Sequence, residues 1–312
     1  MPTKNSTYEW VRSLVYATLP NVQGGKVLIT CDVRHDPFWE GIRSGLLERR
    51  NIVVVREYST YRGIPIPTME NSDVVTNSRR PIDFDTVIIG LPLPPPYNVP
   101  SATTHNAFTS LRKAGIQLVL LEWPIWQVPP RLRESLLTLY RRALTVDYAK
   151  VRVRNRQIEE RLVSVRRVRL TGSDGTDVTC EVDPNTVHTE NCLFSEIETV
   201  MQLPGGEAWI LPKQGSARGW LSVNCRGIPK LIRVEEGIAI FGETPPYPTY
   251  MELAEVGFGT NHAASILEPF NISEKVLGTC HLGFGDNRDL GGENKATYHF
   301  DIMIRKPTVV LE

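Results

Sequence analysis

The chain changes its period. Up to about residue 163, short apolar runs alternate with segments of helical spacing; beyond that point short strands follow one another between glycine, proline and asparagine turns. KVLITCD, after Gly24-Gly25, is short, rich in β-branched residues and apolar at nearly every position. Such a run suits a strand covered on both faces. NIVVVREY (51–58), DTVIIGLPL (85–93) and IQLVLLEW (116–123) repeat the pattern. TYEWVRSLVYAT (7–18) and residues 37–50 carry apolar side chains at helical spacing, and SATTHNAFTSLRKAG offers Ser101 as an N-cap and Gly115 as a stop. Strands separated by helices imply a parallel sheet with helices on its faces.

Pro129 and Pro130 open a polar helical stretch that runs to about residue 163. RRVRLTGSDGTDVTCEV (166–182) then alternates around a Gly-rich turn, as a hairpin does. The expected architecture is an α/β N-terminal domain with a parallel sheet, residues 1–163, followed by a β-rich α+β domain, residues 164–312.

Acidic and basic residues balance at 35 each, so no global field draws in nucleic acid or an anionic membrane. The arginines between Arg141 and Arg169 are interrupted by Asp147, Glu159 and Glu160, as on a solvated helix face. Cys31, Cys180, Cys192, Cys225 and Cys280 are scattered and form no CxxC, which points to reduced thiols in a cytoplasm. MPTKNSTYEWVRSL lacks the apolar core of a signal peptide, and no run of about 18 apolar residues occurs. The expectation is a soluble cytoplasmic protein with neither nucleic acid nor membrane as partner.

Among the histidines, His35, His105 and His188 stand alone; His35 follows a strand and could line a cleft. His299 has company. ATYHFDIMI alternates as a strand does, so His299 and Asp301 project from one face about 7 Å apart. The pair can offer a nitrogen and an oxygen to one metal ion, although a surface ion pair has the same pattern. His281 in GTCHLGFGDN, Glu255 in ELAEVGFGTN and Glu207 in LPGGEAWILP each sit at a glycine-rich strand margin, where a ligand can approach the backbone closely. Imidazole with carboxylate suits zinc, cobalt, manganese or ferrous iron. Three carboxylates would offset most of the charge of two divalent ions, with one bridging.

In order, LPGGEAWILP, AEVGFGTN, EKVLGTCHLGFGDN and GGENKATYHFDIMIRKP resemble the successive motifs of the thermophilic-type metallo-aminopeptidases, the aminopeptidase T, aminopeptidase S and leucyl aminopeptidase-like enzymes. The hairpin TGSDGTDVTCEV is similar to the segment preceding that family's first ligand. The resemblance covers residues 165–306 well and the N-terminal half loosely. It implies two divalent ions (zinc, cobalt or manganese) bound by Glu207, Glu255, Glu274, His281, His299 and Asp301, with Glu207 bridging. It implies Glu255 or Glu274 as the catalytic acid–base, a small-molecule or short-peptide substrate, and a homo-oligomer. The stretch after His281 reads GFGDNRDLGG, without the tyrosine that the peptidases carry there; Tyr298 is the nearest substitute. Arg288 and Arg305 could meet a substrate carboxylate.

The ring-opening 2,5-dihydroxypyridine dioxygenases are related, and bind a single ferrous iron. They place histidine where this chain has Glu255 and lack histidine at His281. The implied activity is therefore metal-dependent hydrolysis of an amide or peptide bond, with a mononuclear Fe(II) ring-cleaving dioxygenase as the alternative.

Overall fold

A computed structural model describes residues 4–19, 22–31, 37–57, 60–61, 64–65, 84–91, 113–122, 130–194, 199–225, 228–242, 247–267, 271–296 and 298–312. Contacts divide them into two units: residues up to Thr145 together with Cys192–Gly205, and Val146–Asn191 together with Gly206–Glu312. Among the described residues no helix is long and apolar enough to cross a membrane.

In the first unit, helices α1 (Lys4–Thr18) and α2 (Pro37–Glu48) accompany strands β1 (Lys26–Cys31) and β2 (Ile52–Glu57). Two short strands, β3 (Thr60–Tyr61) and β4 (Ile64–Pro65), pair with each other, and β5 (Thr86–Leu91), β6 (Gln117–Glu122) and helix α3 (Pro130–Leu144) follow. The expected parallel sheet is present, with β1 between β2 and β5 and with β6 beyond β5. Leu28, Val87, Ile89 and Leu118 close its core. Its fifth strand comes from far downstream: β10 (Val200–Leu203) lies parallel to β6. Four residues with alternating burial carry too little periodic signal to announce a strand of this sheet.

The polar helical stretch expected up to residue 163 is two helices. Thr145 turns its hydroxyl back to the Arg141 carbonyl, and Asp147 then caps a new helix, α4 (Tyr148–Leu162), by accepting from the Ala149 N–H. The units divide at this break, so α4 goes with the strands that follow it.

The second unit is built on antiparallel strands: β7 (Arg167–Thr171), β8 (Asp177–Glu181), β9 (His188–Thr189), β11 (Glu207–Ile210), β12 (Arg218–Cys225), β13 (Ile228–Glu235), β14 (Ile238–Ile240), β15 (Tyr250–Gly259), β16 (Cys280–Gly285), β17 (His299–Ile304) and β18 (Thr308–Leu311). The hairpin read at 166–182 is β7–β8, closed around Gly175 at φ 94. The sheet runs β17-β16-β15-β14-β13-β12-β8-β7-β18, and β11 joins the C-terminal half of β15. Val256, Phe258, Leu282, Phe284, Ile302 and Ile304 point from β15, β16 and β17 into the apolar core. The opposite face of these strands is therefore the one available for polar chemistry.

Candidate metal centre

The registers place that polar face residue by residue. Glu255 on β15 stands opposite Gly283 on β16, and His281 stands opposite Gly257. On the next strand Asp301 faces Gly283 and His299 faces Gly285, while on the other side Glu207 of β11 faces Gly259. Each ligand candidate thus lies over a glycine of its neighbour. A Cβ at Gly257 would overlap the His281 imidazole, and one at Gly283 would overlap the Glu255 side chain and come within 2.9 Å of Asp301 Oδ1. The repeated G-F-G motif therefore has two functions: its phenylalanines fill the core, and its first glycines, Gly257 and Gly283, make room for the ligands. A register shift between Leu253 and Glu255 sets the aim of Glu255.

Four of the expected residues meet closely. Glu255 Oε1 is 3.3 Å from His281 Nε2 and 3.5 Å from His299 Nε2. Asp301 Oδ1 is 3.6 Å from His299 Nε2 and 4.0 Å from His281 Nε2. Donor atoms of Glu255, His281 and Asp301 all fall within 4.8 Å of one another. Two donors on one tetrahedral zinc-like ion lie about 3.4 Å apart, so modest side-chain rotations would close the cluster. His299 is oriented by its Nδ1, 2.6 Å from the Asp286 carbonyl, as a metal-bound imidazole is by its second nitrogen.

Glu207 Oε2, both ring nitrogens of His281 and Asp301 Oδ1 are buried without a hydrogen-bond partner. Buried polar atoms seldom stay unpaired, and here they are clustered. A divalent cation would satisfy Glu207 Oε2, His281 Nε2 and Asp301 Oδ1. The donor set therefore fits a metal ion, and His281, His299, Asp301 and Glu255 are the residues to hold it.

Electrostatics point the same way. Burial opposes the charge on Glu255, but the facing imidazoles outweigh it and hold the carboxyl below its ordinary range. Burial likewise opposes the charge on Asp301, and His299 and His281 bring it lower still. Burial disfavours protonated His281, yet Glu255, Asp301 and Glu207 raise it, and Asp301 and Glu255 raise His299 well above its ordinary value. In the metal-free chain the carboxylates favour the protonated form of both imidazoles, and a divalent cation would compete with those protons.

The other two expected ligands, Glu207 and Glu274, turn to a group that the sequence reading missed. Lys275, fully buried, places Nζ 2.9 Å from Glu274 Oε1, 3.3 Å from Glu190 Oε2 and in close contact with Glu207 Oε1. Burial works against the ammonium, but the three carboxylates hold it charged far above its ordinary range. Burial pushes Glu274 well up despite Lys275, and pushes Glu190 up to about 7. The backbone fixes this corner: Asn261 N–H donates to the Lys275 carbonyl, and Gly206 N–H donates to Glu190 Oε2. Asn155, buried on α4, donates to the Glu190 carbonyl and to Asn191, and accepts from the Thr260 hydroxyl. Lys275 sits beside Glu274 in EKVLG and Glu190 in HTENC, where nothing but the acid–base adjacency hints at a role.

Other expectations resolve as follows. His35 and His105 lie outside the described residues. His188 stacks on Trp209, and His262 Nδ1 is 2.8 Å from Arg154. The Arg288 guanidinium is clamped by the Asp286 carboxylate at 2.5–3.1 Å. Tyr298 leans on Phe300 and turns its hydroxyl to the Tyr250 carbonyl, 3.4 Å away, so it does not substitute for the missing tyrosine.

The fold and the centre together define an α/β chain with a metal-ready sheet face. Likenesses to solved structures include two that run along almost the whole length. One is 2,5-dihydroxypyridine dioxygenase from Pseudomonas putida KT2440, with a TM-score of 0.66 at 14% identity, covering 100% of this chain and 95% of that one. The other is wild-type AmpT from Thermus thermophilus, with a TM-score of 0.55 at 13% identity, covering 96% of this chain and 93% of that one. At such identities the likeness is one of fold. No protein-family model and no curated protein matches the sequence.

Proposed function

We propose that the chain is a metal-dependent hydrolase cleaving an amide or peptide bond of a small molecule or short peptide. The observation that carries this reading is the set of unpartnered buried atoms on Glu207, His281 and Asp301, with Glu255 and His299 beside them. A bound ion would acidify a water and polarise a carbonyl. Glu255, central to the cluster, is the ligand or base on the water side. Glu274, behind Asp301, is the carboxyl able to hold a proton. His281 is fully buried, whereas the His299 side chain is 28% exposed, so substrate would arrive from the β17 side. A homo-oligomer belongs to this proposal through the aminopeptidase resemblance alone.

A second reading has its own support. Two imidazoles with Asp301 are the donor set of non-haem ferrous oxygenases, and the dioxygenase likeness covers the entire chain. The extra carboxylate, Glu255, favours hydrolysis, because it takes up a position that oxygen and an aromatic diol would need.

The purified protein should contain a first-row divalent ion and release amine from aminoacyl amides. Chelation should abolish the release and added ion restore it. His281→Ala or Asp301→Ala should lower the rate by at least about 100-fold. Oxygen uptake with a dihydroxypyridine and ferrous ion, without amide cleavage, would instead establish the second reading.

A further inference from the structure

We infer that Lys275 is a built-in cation standing where a second metal ion would sit, so that the wild-type centre accepts one divalent ion and not two. The inference rests on the metal centre proposed above and concerns its second half. Lys275 Nζ meets three carboxylates from separate segments: Glu190 ahead of β11, Glu207 at its start, and Glu274 in the turn before Val276. An ammonium has three donors, and three carboxylate partners exhaust them.

Glu207 is the informative residue. Its Oε1 contacts the ammonium, and its Oε2, unpartnered, lies 3.6 Å from His281 Nε2. It spans two cationic positions as a bridging carboxylate spans a pair of ions, with the amine at one of them. A second divalent ion at Glu190, Glu207 and Glu274 would have to share this space with a positive charge. The Lys275 side chain is only 1% exposed, and its backbone is bound through Asn261, so it has no solvent into which to withdraw. The two-ion site implied by the aminopeptidase resemblance therefore does not fit this chain.

Substitution at Lys275 reads this out without any assay of catalysis. Wild type, Lys275→Ala and Lys275→Arg are loaded with manganese or zinc, passed over a desalting column, and measured for ions per chain and for the metal-induced rise in melting temperature. The expected result is one ion for wild type and for Lys275→Arg, and two for Lys275→Ala, with a second thermal increment as the freed carboxylates take up an ion. If Lys275→Ala is recovered unfolded, it should refold when zinc is supplied; failure to do so counts against the inference. Manganese anomalous scattering from wild-type crystals provides an independent reading. A single peak near His281, His299 and Asp301 is expected. Two ions in wild type, or one in folded Lys275→Ala, would overturn the inference and leave the metal centre intact. No ion in wild type would overturn the metal centre, and this inference with it.

Discussion

Replacing Gly257 by alanine tests whether the glycines exist to seat the ligands. The new Cβ would overlap Cε1 and Nε2 of His281, a ring with no solvent exposure. Carbon atoms rest about 3.5–4.0 Å apart, so the imidazole must move by roughly 1 Å or more. Metal–donor distances tolerate only about 0.2 Å. Two costs follow. Overpacking should lower the stability of the metal-free fold by about 1–3 kcal/mol. Displacing the ligand should weaken ion binding by about 10–100-fold, which corresponds to about 1.4–2.8 kcal/mol. Gly291→Ala is the control. Gly291 has φ 91 and nothing within 4 Å of a built Cβ, so alanine there is strained by its backbone alone. It should cost about 1 kcal/mol of stability and leave the ion affinity unchanged. Urea unfolding of both metal-free variants gives the stabilities, and competition with a chromogenic chelator gives the affinities. If Gly257→Ala binds its ion as tightly as Gly291→Ala and wild type do, the glycine pairing has no bearing on the site.

The imidazoles predict opposite pH trends with and without metal. Their raised values mean that the metal-free fold gains stability from charged His281 and His299; the gain is complete below the ordinary value of 6.5 and is lost as pH rises through the raised values. Ion binding needs both rings neutral, so the metal-induced rise in melting temperature should grow as pH climbs past the ordinary imidazole value and through the raised ones, and a flat profile would contradict the assignment of both rings as ligands. Asn155→Ala removes one buried and two partly buried hydrogen bonds, at 2.6, 2.9 and 3.1 Å, and leaves the Glu190 carbonyl and the Thr260 hydroxyl without that partner. It should cost about 1–3 kcal/mol, read as a lower urea midpoint at unchanged slope; a loss under about 0.5 kcal/mol would show that the network is dispensable.

The sequence was most readable where one periodicity ruled. β1, β2, β5, β6 and the β7–β8 hairpin occupy the runs from which they were expected. His299 and Asp301 were found through alternation within one strand, and their shared face is local geometry. The rest was set across strands. Register, invisible in a single sequence, puts Glu255 over Gly283 and His281 over Gly257. Lys275 gave no sign because a lysine beside a glutamate usually marks a solvated turn, and only tertiary packing carries it inside. Asn155 was hidden likewise: RVRNRQ reads as an exposed face, and one buried asparagine among arginines breaks no pattern.

Charge balance explains why such a cluster can exist before any ion arrives. Glu190, Glu207, Glu255, Glu274 and Asp301 are all largely buried, a costly collection unless offset. Burial pushes two of them, Glu190 and Glu274, towards the neutral form, and both of these face Lys275 rather than the imidazoles. Glu255 and Asp301 are held in the charged form by the imidazoles that face them. Opposite the carboxyls in the metal-free chain stand the Lys275 ammonium and two imidazoles whose protonated form the carboxylates favour. A divalent ion that displaces protons from those imidazoles replaces positive charge with positive charge, so its arrival disturbs the cluster little. A lysine enclosed among Glu190, Glu207 and Glu274 thus offsets part of the buried negative charge before any ion is loaded.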